Sequence, residues 1–200
     1  MRSLKNEILE NAMMLFLTKS YNEVSIKDIQ NSVRCSRGVM YHHFKSKKQI
    51  FENVIKEYIL PAFSNFSGIP IEKRSTLIDS INSSVEFRVR YIQLFKKNNL
   101  KDMSDFHFFK LLFQIGESYE GFIELVNELQ VKEANIWAEV VQNAIKNKEI
   151  IGTIDINFVV QYFVSLPYGI GLINAFNTSG INCNDIKTHY IQFYNLIRNK

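Results

Sequence analysis

Residues 25–48 read SIKDIQNSVRCSRGVMYHHFKSKK, and the fold turns on how they are parsed. Ser25 with Asp28 three residues on is a capping-box variant that opens a helix. Ile26, Ile29 and Val33 give that helix, about two turns long, a buried face. Ser36 is the next N-cap and opens a helix from Arg37 to about His43. Met40, His43 and Phe44 lie on one side of it, and Arg37, Gly38, Tyr41 and His42 on the other. Two short capped helices joined by a tight turn form a helix-turn-helix. Between Asp28 and Glu52 there is no acidic residue, while Arg34, Arg37, Lys45, Lys47 and Lys48 supply five positive charges.

Upstream, Ile8, Ala12, Leu15 and Phe16 recur at helical spacing, so residues 4–19 form an amphipathic helix that floors the motif. Downstream, Ser46 followed by Gln49 caps a fourth helix. Its Ile50, Phe51, Val54, Ile55 and Tyr58 continue the apolar stripe to Leu60, before Pro61. Pro61, Gly68 and Pro70 mark a link to a larger body. There the spacing predicts a long helix over 72–97 with Leu77, Ile78, Ile81, Val85 and Leu94 inward. An aromatic helix over about 103–115 stops at Gly116. Ser118 can cap the next, which runs from about 120 to 148, and Asp155 caps one that runs to about Phe176. A last helix spans roughly 185–198. No strand-like alternation occurs, so the chain is all-α, with a three-helix head over residues 1–48 and a helical body over 49–200 joined by the helix from about 47.

Charge follows the same division. Residues 1–60 hold 10 Lys+Arg and 6 Asp+Glu, residues 61–200 hold 14 of each, and the net +4 therefore sits in the head. A basic head on a neutral body implies a polyanionic partner, unless the face is merely solvated. Cys35 and Cys183 lie far apart without metal-ligand spacing and read as reduced, buried thiols of a cytosolic chain. The apolar run Ala12–Leu17 is too short for a secretory signal. Between Asp155 and Asp185 there are 29 residues without a charge, which demands burial on nearly every side. A transmembrane span over Phe158–Phe176 is one way to supply it. The alternative is burial against a second copy, in which Gly169 and Gly171 let backbones approach and Ile186, Tyr190, Phe193, Tyr194 and Ile197 complete the seam. Gln161, Ser165, Pro167 and Asn174, and the absence of flanking basic clusters, favour the second copy over a membrane.

The phrases ILENAMMLF, SIKDIQNSV and SRGVMYHHFKSKKQIF, over residues 8–55, resemble the DNA-binding head of the TetR (tetracycline-repressor) family of bacterial regulators. The match is strongest at Tyr41-His42-His43-Phe44 with Lys47, and it covers about a quarter of the chain. The resemblance implies a cytoplasmic homodimer, paired through the last two helices (about 156–198), that binds a pseudo-palindromic double-stranded operator as a repressor. It also implies release by a small-molecule effector in the C-terminal domain. On this basis Arg37 offers a two-pronged donor to guanine, Val39 meets a thymine methyl, and Gly38 admits the backbone. Ser25, Tyr41, His42 and Lys47 match positions that contact phosphate, and Ser36 opens the reading helix. One residue departs from the family: Arg34 stands where glycine is usual. A left-handed backbone there costs a non-glycine residue about 1 kcal/mol.

Catalytic constellations are missing: His42 and His43 are adjacent, His107 and His189 isolated, and there is no phosphate loop, nucleophile elbow or zinc spacing. An enzyme, a metal site and a cofactor are therefore not expected. The body is rich in aromatics, and Phe87, Tyr91, Phe106, Phe109, Phe113, Trp137 and Phe163 are read either as core and seam or as the lining of a largely apolar ligand cavity. Arg88 or Arg90 can add a polar anchor. A competing reading keeps the DNA-binding dimer but makes the body a protein-interaction platform with no inducer.

Overall fold

The computed structural model describes residues 3–61, 68–97, 105–177 and 183–200, apart from the side chains of 91, 92, 94–97, 105 and 177. Among the described residues there are nine α-helices and no strand: α1 (Leu4–Thr18), α2 (Ile26–Val33), α3 (Arg37–His43), α4 (Lys47–Val54), α5 (Leu77–Lys97), α6 (Asp105–Ser118), α7 (Phe122–Lys146), α8 (Ile156–Asn177) and α9 (Cys183–Ile197). A π-helical turn, Ile55–Ile59, prolongs α4, and a short 3-10 turn, Ile71–Lys73, precedes α5.

The head follows its local chemistry. Ser25, Ser36 and Ser46 each accept the backbone N–H three residues on, and at α2 Asp28 answers the Ser25 amide at 2.8 Å, which completes the capping box. Asp28 owes a carboxyl pKa below the ordinary range first to its Ser25 hydrogen bonds. Ile8, Phe16, Ile29, Met40, Phe44 and Ile50 are fully buried together. This core does not end at residue 48. It runs on through Ile59 and takes in Leu111, Ile115 and Phe122, so α6 and the start of α7 pack directly on the head.

That packing explains two corrections to the sequence reading. The aromatic helix runs through Gly116 to Ser118, because Leu111 and Ile115 are anchored in the head core and one helical glycine costs only about 1 kcal/mol. Ser118 therefore closes α6 rather than capping α7, whose N-cap is Gly121 in a left-handed conformation (φ 77°). A third correction concerns α5, which starts at Leu77 rather than 72. Both oxygens of Glu149 accept the amides of Leu77 and Ile78, at 2.7 and 3.1 Å. Thr76 and Asp79 cap the same end locally.

A second core joins α5, α7, α8 and α9. Trp137 stacks on Phe163 at 4.5 Å, with Tyr190 edge-on to both. Pro167 lies inside α8 and has no N–H for the carbonyl of Phe163, four residues back. The Tyr190 hydroxyl of α9 donates to that carbonyl instead, so a buried acceptor is satisfied. Gly171 is used within the chain, since a Cβ there would stand 3.4 Å from Phe109, whereas a Cβ at Gly169 would meet nothing within 4 Å. Cys183 is buried and Cys35 only half-buried, and neither forms a disulfide.

Candidate nucleic-acid interface

The α3 side chains divide as their spacing requires. Met40 is fully buried, His43 half-buried, and Arg37, Gly38, Val39, Tyr41 and His42 are exposed in a contiguous row. The Arg37 guanidinium lies 5.6 Å from the centre of the Tyr41 ring, one turn on, which restricts its swing without using its N–H donors. No atom stands within 4 Å of a Cβ built on Gly38, so that stretch of backbone is bare. The face combines a forked donor, an apolar patch, two aromatic hydrogen-bonding groups and an unobstructed backbone, and such a set can read base edges and touch phosphates.

The other DNA-facing candidates are more committed. Ser25 accepts from the Asp28 amide and donates to the Asp28 carboxylate at 2.6 Å, so its hydroxyl serves the capping box. Ser36 Oγ accepts from Val39 N–H at 3.3 Å and fixes the start of the reading helix. Lys47 is half-buried, and its Nζ donates to the Tyr21 carbonyl at 2.8 Å. That link joins residues 26 positions apart, and no local spacing announces it. Lys45 and Lys48 are exposed beside it and add cationic surface that the sequence reading counted only as charge.

Arg34 adopts the left-handed conformation (φ 55°, ψ 35°) that the family's usual glycine suits, and the following Cys35 amide reaches back to Gln30 O at 3.3 Å to close α2. Arg34→Gly is accordingly expected to stabilise the chain by about 1 kcal/mol, read as a higher urea midpoint. The same variant should lower DNA affinity and flatten its salt dependence only if the exposed Arg34 side chain also touches phosphate.

The body's candidate ligand residues do not converge. Trp137 and Phe163 are packed in the second core. Phe106 and Phe113 are more than half exposed and, with Phe109, Leu172 and Phe176, flank a groove of about 440 Å³ between α6 and α8. Phe87 is half-buried against Gly68, where any Cβ would collide with it, and the Tyr91 side chain lies outside the described residues. Arg88, but not Arg90, turns inward, and its Nη2 stands 3.4 Å from Glu133 Oε1 with both side chains buried. One turn from Arg88, Ser84 Oγ is buried without a hydrogen bond, and one turn from Glu133 the buried Trp137 indole N–H is close enough to that carboxylate to favour its charged form. Because α5 and α7 run antiparallel, these two groups occupy the neighbouring rung.

An all-α chain whose N-terminal helix-turn-helix exposes such a face is a DNA-binding regulator by class. Residues 8–54 match the model of the bacterial regulatory proteins, tetR family. The chain is 24% identical over 166 residues to the HTH-type transcriptional repressor KstR2 of Mycolicibacterium smegmatis, covering 80% of this chain and 74% of that protein. It is 26% identical over 138 residues to the biofilm operon icaADBC HTH-type negative transcriptional regulator IcaR of Staphylococcus aureus, covering 68% of this chain and 61% of that one. The solved ketosteroid transcriptional regulator KstR2 of Mycobacterium tuberculosis superposes with a TM-score of 0.60 at 12% identity, over 100% of this chain and 97% of that one. Residues 8–54 thus carry the helix-turn-helix of the TetR family of bacterial transcriptional regulators.

Proposed function

We propose that the protein is a homodimeric repressor that holds a pseudo-palindromic operator through the α3 face and leaves it when a small, largely apolar ligand enters the body. The observation that carries the reading is the exposed row Arg37, Gly38, Val39, Tyr41 and His42 on a helix whose opposite side is locked into the core. In this reading Arg37 and Val39 address bases, Gly38 lets the backbone close in, and Tyr41, His42, Lys47 and the Ser25 end of α2 meet phosphate, while Ser36 sets the pitch of α3. Residues 1–48 serve DNA and 49–200 serve effector and dimer.

Repression is favoured by the KstR2 and IcaR relatives, both described as negative regulators. Dimerisation through about 156–198 is favoured by α8 and α9, which expose Phe158, Leu172, Ile173, Phe176 and Leu196. The window Ile156–Phe176 has a mean hydropathy of 1.5, enough to cross a membrane, yet only 17% of it is buried within the chain. A second copy covers that face in our reading, and the protein works in the cytoplasm, where its operator is. For the effector, the apolar contacts are drawn from Phe87, Tyr91, Phe106, Phe109, Phe113, Trp137 and Phe163, of which Phe106, Phe109 and Phe113 flank the groove between α6 and α8 whereas Trp137 and Phe163 lie in the second core. Ser84 Oγ, buried one turn from Arg88, is a polar group that a ligand hydroxyl or carbonyl would satisfy. The exposed Phe106, Phe113 and Phe176 favour the competing interaction platform without an inducer.

The test is a fluorescence titration of DNA from upstream of the protein's own coding region against a scrambled fragment, paired with sedimentation in detergent-free buffer. Preferential, salt-sensitive binding by a species of twice 23.4 kDa is the expected outcome. Equal, weak binding to both fragments argues against an operator there, and a detergent requirement would return α8 to the membrane. Trp137 is the chain's one tryptophan, so quenching of its emission in a ligand screen separates an inducible body from a platform.

A further inference from the structure

Lys47 does not extend freely from the start of α4. Its Nζ donates to the Tyr21 carbonyl at 2.8 Å and stands 4.3 Å from the centre of the Tyr21 ring. The amide of the same Tyr21 donates to Gln114 Oε1, on α6 of the body, at 2.9 Å. Tyr21 is thus gripped from two sides: its N–H by Gln114 of the body, its carbonyl and ring by the Lys47 ammonium of the head. Its ring is wedged against Phe16 and Phe51, with centroids 5.9 and 4.6 Å away, so the residue has little room to shift independently. One turn earlier on α6, Lys110 Nζ reaches the Thr18 carbonyl at 3.4 Å. Both α6 side chains therefore close on the end of α1 and the turn that follows it.

Packing alone does not account for a glutamine at 114. Its Nε2 is buried without a hydrogen-bond partner, an arrangement in which an apolar side chain of the same length would be the better filler. What the glutamine supplies is the one acceptor that fixes the Tyr21 peptide. An ammonium carries three N–H donors, so a Lys47 with one of them on Tyr21 O still presents others to a phosphate, with its long side chain already ordered.

We propose that Gln114 is a positioning residue for DNA binding. It fixes the Tyr21 peptide so that the carbonyl and ring hold Lys47 ready for a backbone phosphate, which makes α6 the element through which the body sets that contact. The proposal rests on the reading of Lys47 as a phosphate contact, and its test keeps the two apart. A phosphate contact is indifferent to sequence, so no operator is needed.

The full-length chain and its Lys47→Ala, Gln114→Met and doubly substituted variants are titrated by fluorescence anisotropy against one arbitrary duplex, at about 50 and about 200 mM salt. Circular dichroism melts confirm that all four are folded. Lys47→Ala should weaken binding and reduce the salt slope by about one per head. Gln114→Met should weaken binding roughly two- to tenfold, the cost of ordering one lysine-sized side chain, and should have no further effect once Lys47 is alanine. An equal loss in both backgrounds would mean that Gln114 supports the head as a whole, and no loss in either would mean that it supports nothing at the DNA; each overturns the proposal. If Lys47→Ala leaves affinity and slope unchanged, the phosphate assignment fails and the relay fails with it.

Discussion

Glu133→Ala is expected to lower the stability of the chain by about 3–5 kcal/mol, measured as a fall in unfolding free energy in urea at fixed protein concentration. The size follows from what the substitution leaves behind. Arg88 and Glu133 are 7% and 4% exposed, and they meet between α5 and α7 beside fully buried Trp137 and Ser84. Removing the carboxylate leaves a guanidinium in that core without its counter-charge, a state far costlier than the pair itself is worth. Replacing both residues, Arg88→Met with Glu133→Leu, should therefore cost much less than the single change, and if the double variant proves as unstable as the single one, the unpaired charge is not the cause. A pH signature accompanies the effect. Burial pushes the Glu133 carboxyl above its ordinary value of 4.5, against the opposing pull of Arg88. The folded state then binds that proton more tightly than the unfolded chain does. The associated stability is complete below the ordinary value and is lost as pH rises through the raised one, and Glu133→Ala should remove that slope.

How far the sequence discloses this molecule depends on the range of the interaction that decides each feature. The caps at Ser25, Ser36 and Ser46 act three residues away, and the periodic burial of Ile8, Ala12 and Phe16 acts within one helix. The helix-turn-helix and its exposed face were therefore legible, down to the left-handed Arg34. What escaped is decided at long range. The start of α5 is set by Glu149, 72 residues from Leu77, and the run of α6 through Gly116 by burial of Leu111 and Ile115 in the head. Gln114 meets Tyr21 across 93 residues. The aromatic list failed to define one pocket for a related reason. Helical spacing places Phe109 and Phe113 on one face, but not whether that face meets α8, solvent or a ligand. The inward turn of Arg88 became visible only with Glu133 opposite it.

The second large effect belongs to Arg37. Arg37→Ala should weaken binding to the preferred DNA about 10- to 100-fold per half-site, equivalent to about 1–3 kcal/mol, and change binding to scrambled DNA far less. The guanidinium occupies the first position of α3, exposed, with its plane restrained by Tyr41 one turn on. In the major groove its fork matches the paired acceptors O6 and N7 of guanine, which no other base presents, so its loss removes discrimination as well as attraction. Lys47 provides the contrast, because a lysine on phosphate contributes to every sequence alike, and its removal should weaken both fragments and flatten the salt dependence. Arg37→Lys sharpens the comparison: the charge stays and the fork goes, so a base reader loses specificity while a phosphate contact is largely preserved. If Arg37→Ala weakens matched and scrambled DNA equally, and Arg37→Lys restores both, Arg37 is a generic cation. Base recognition would then fall to Val39, Tyr41 and His42, the remaining exposed side chains of the reading helix.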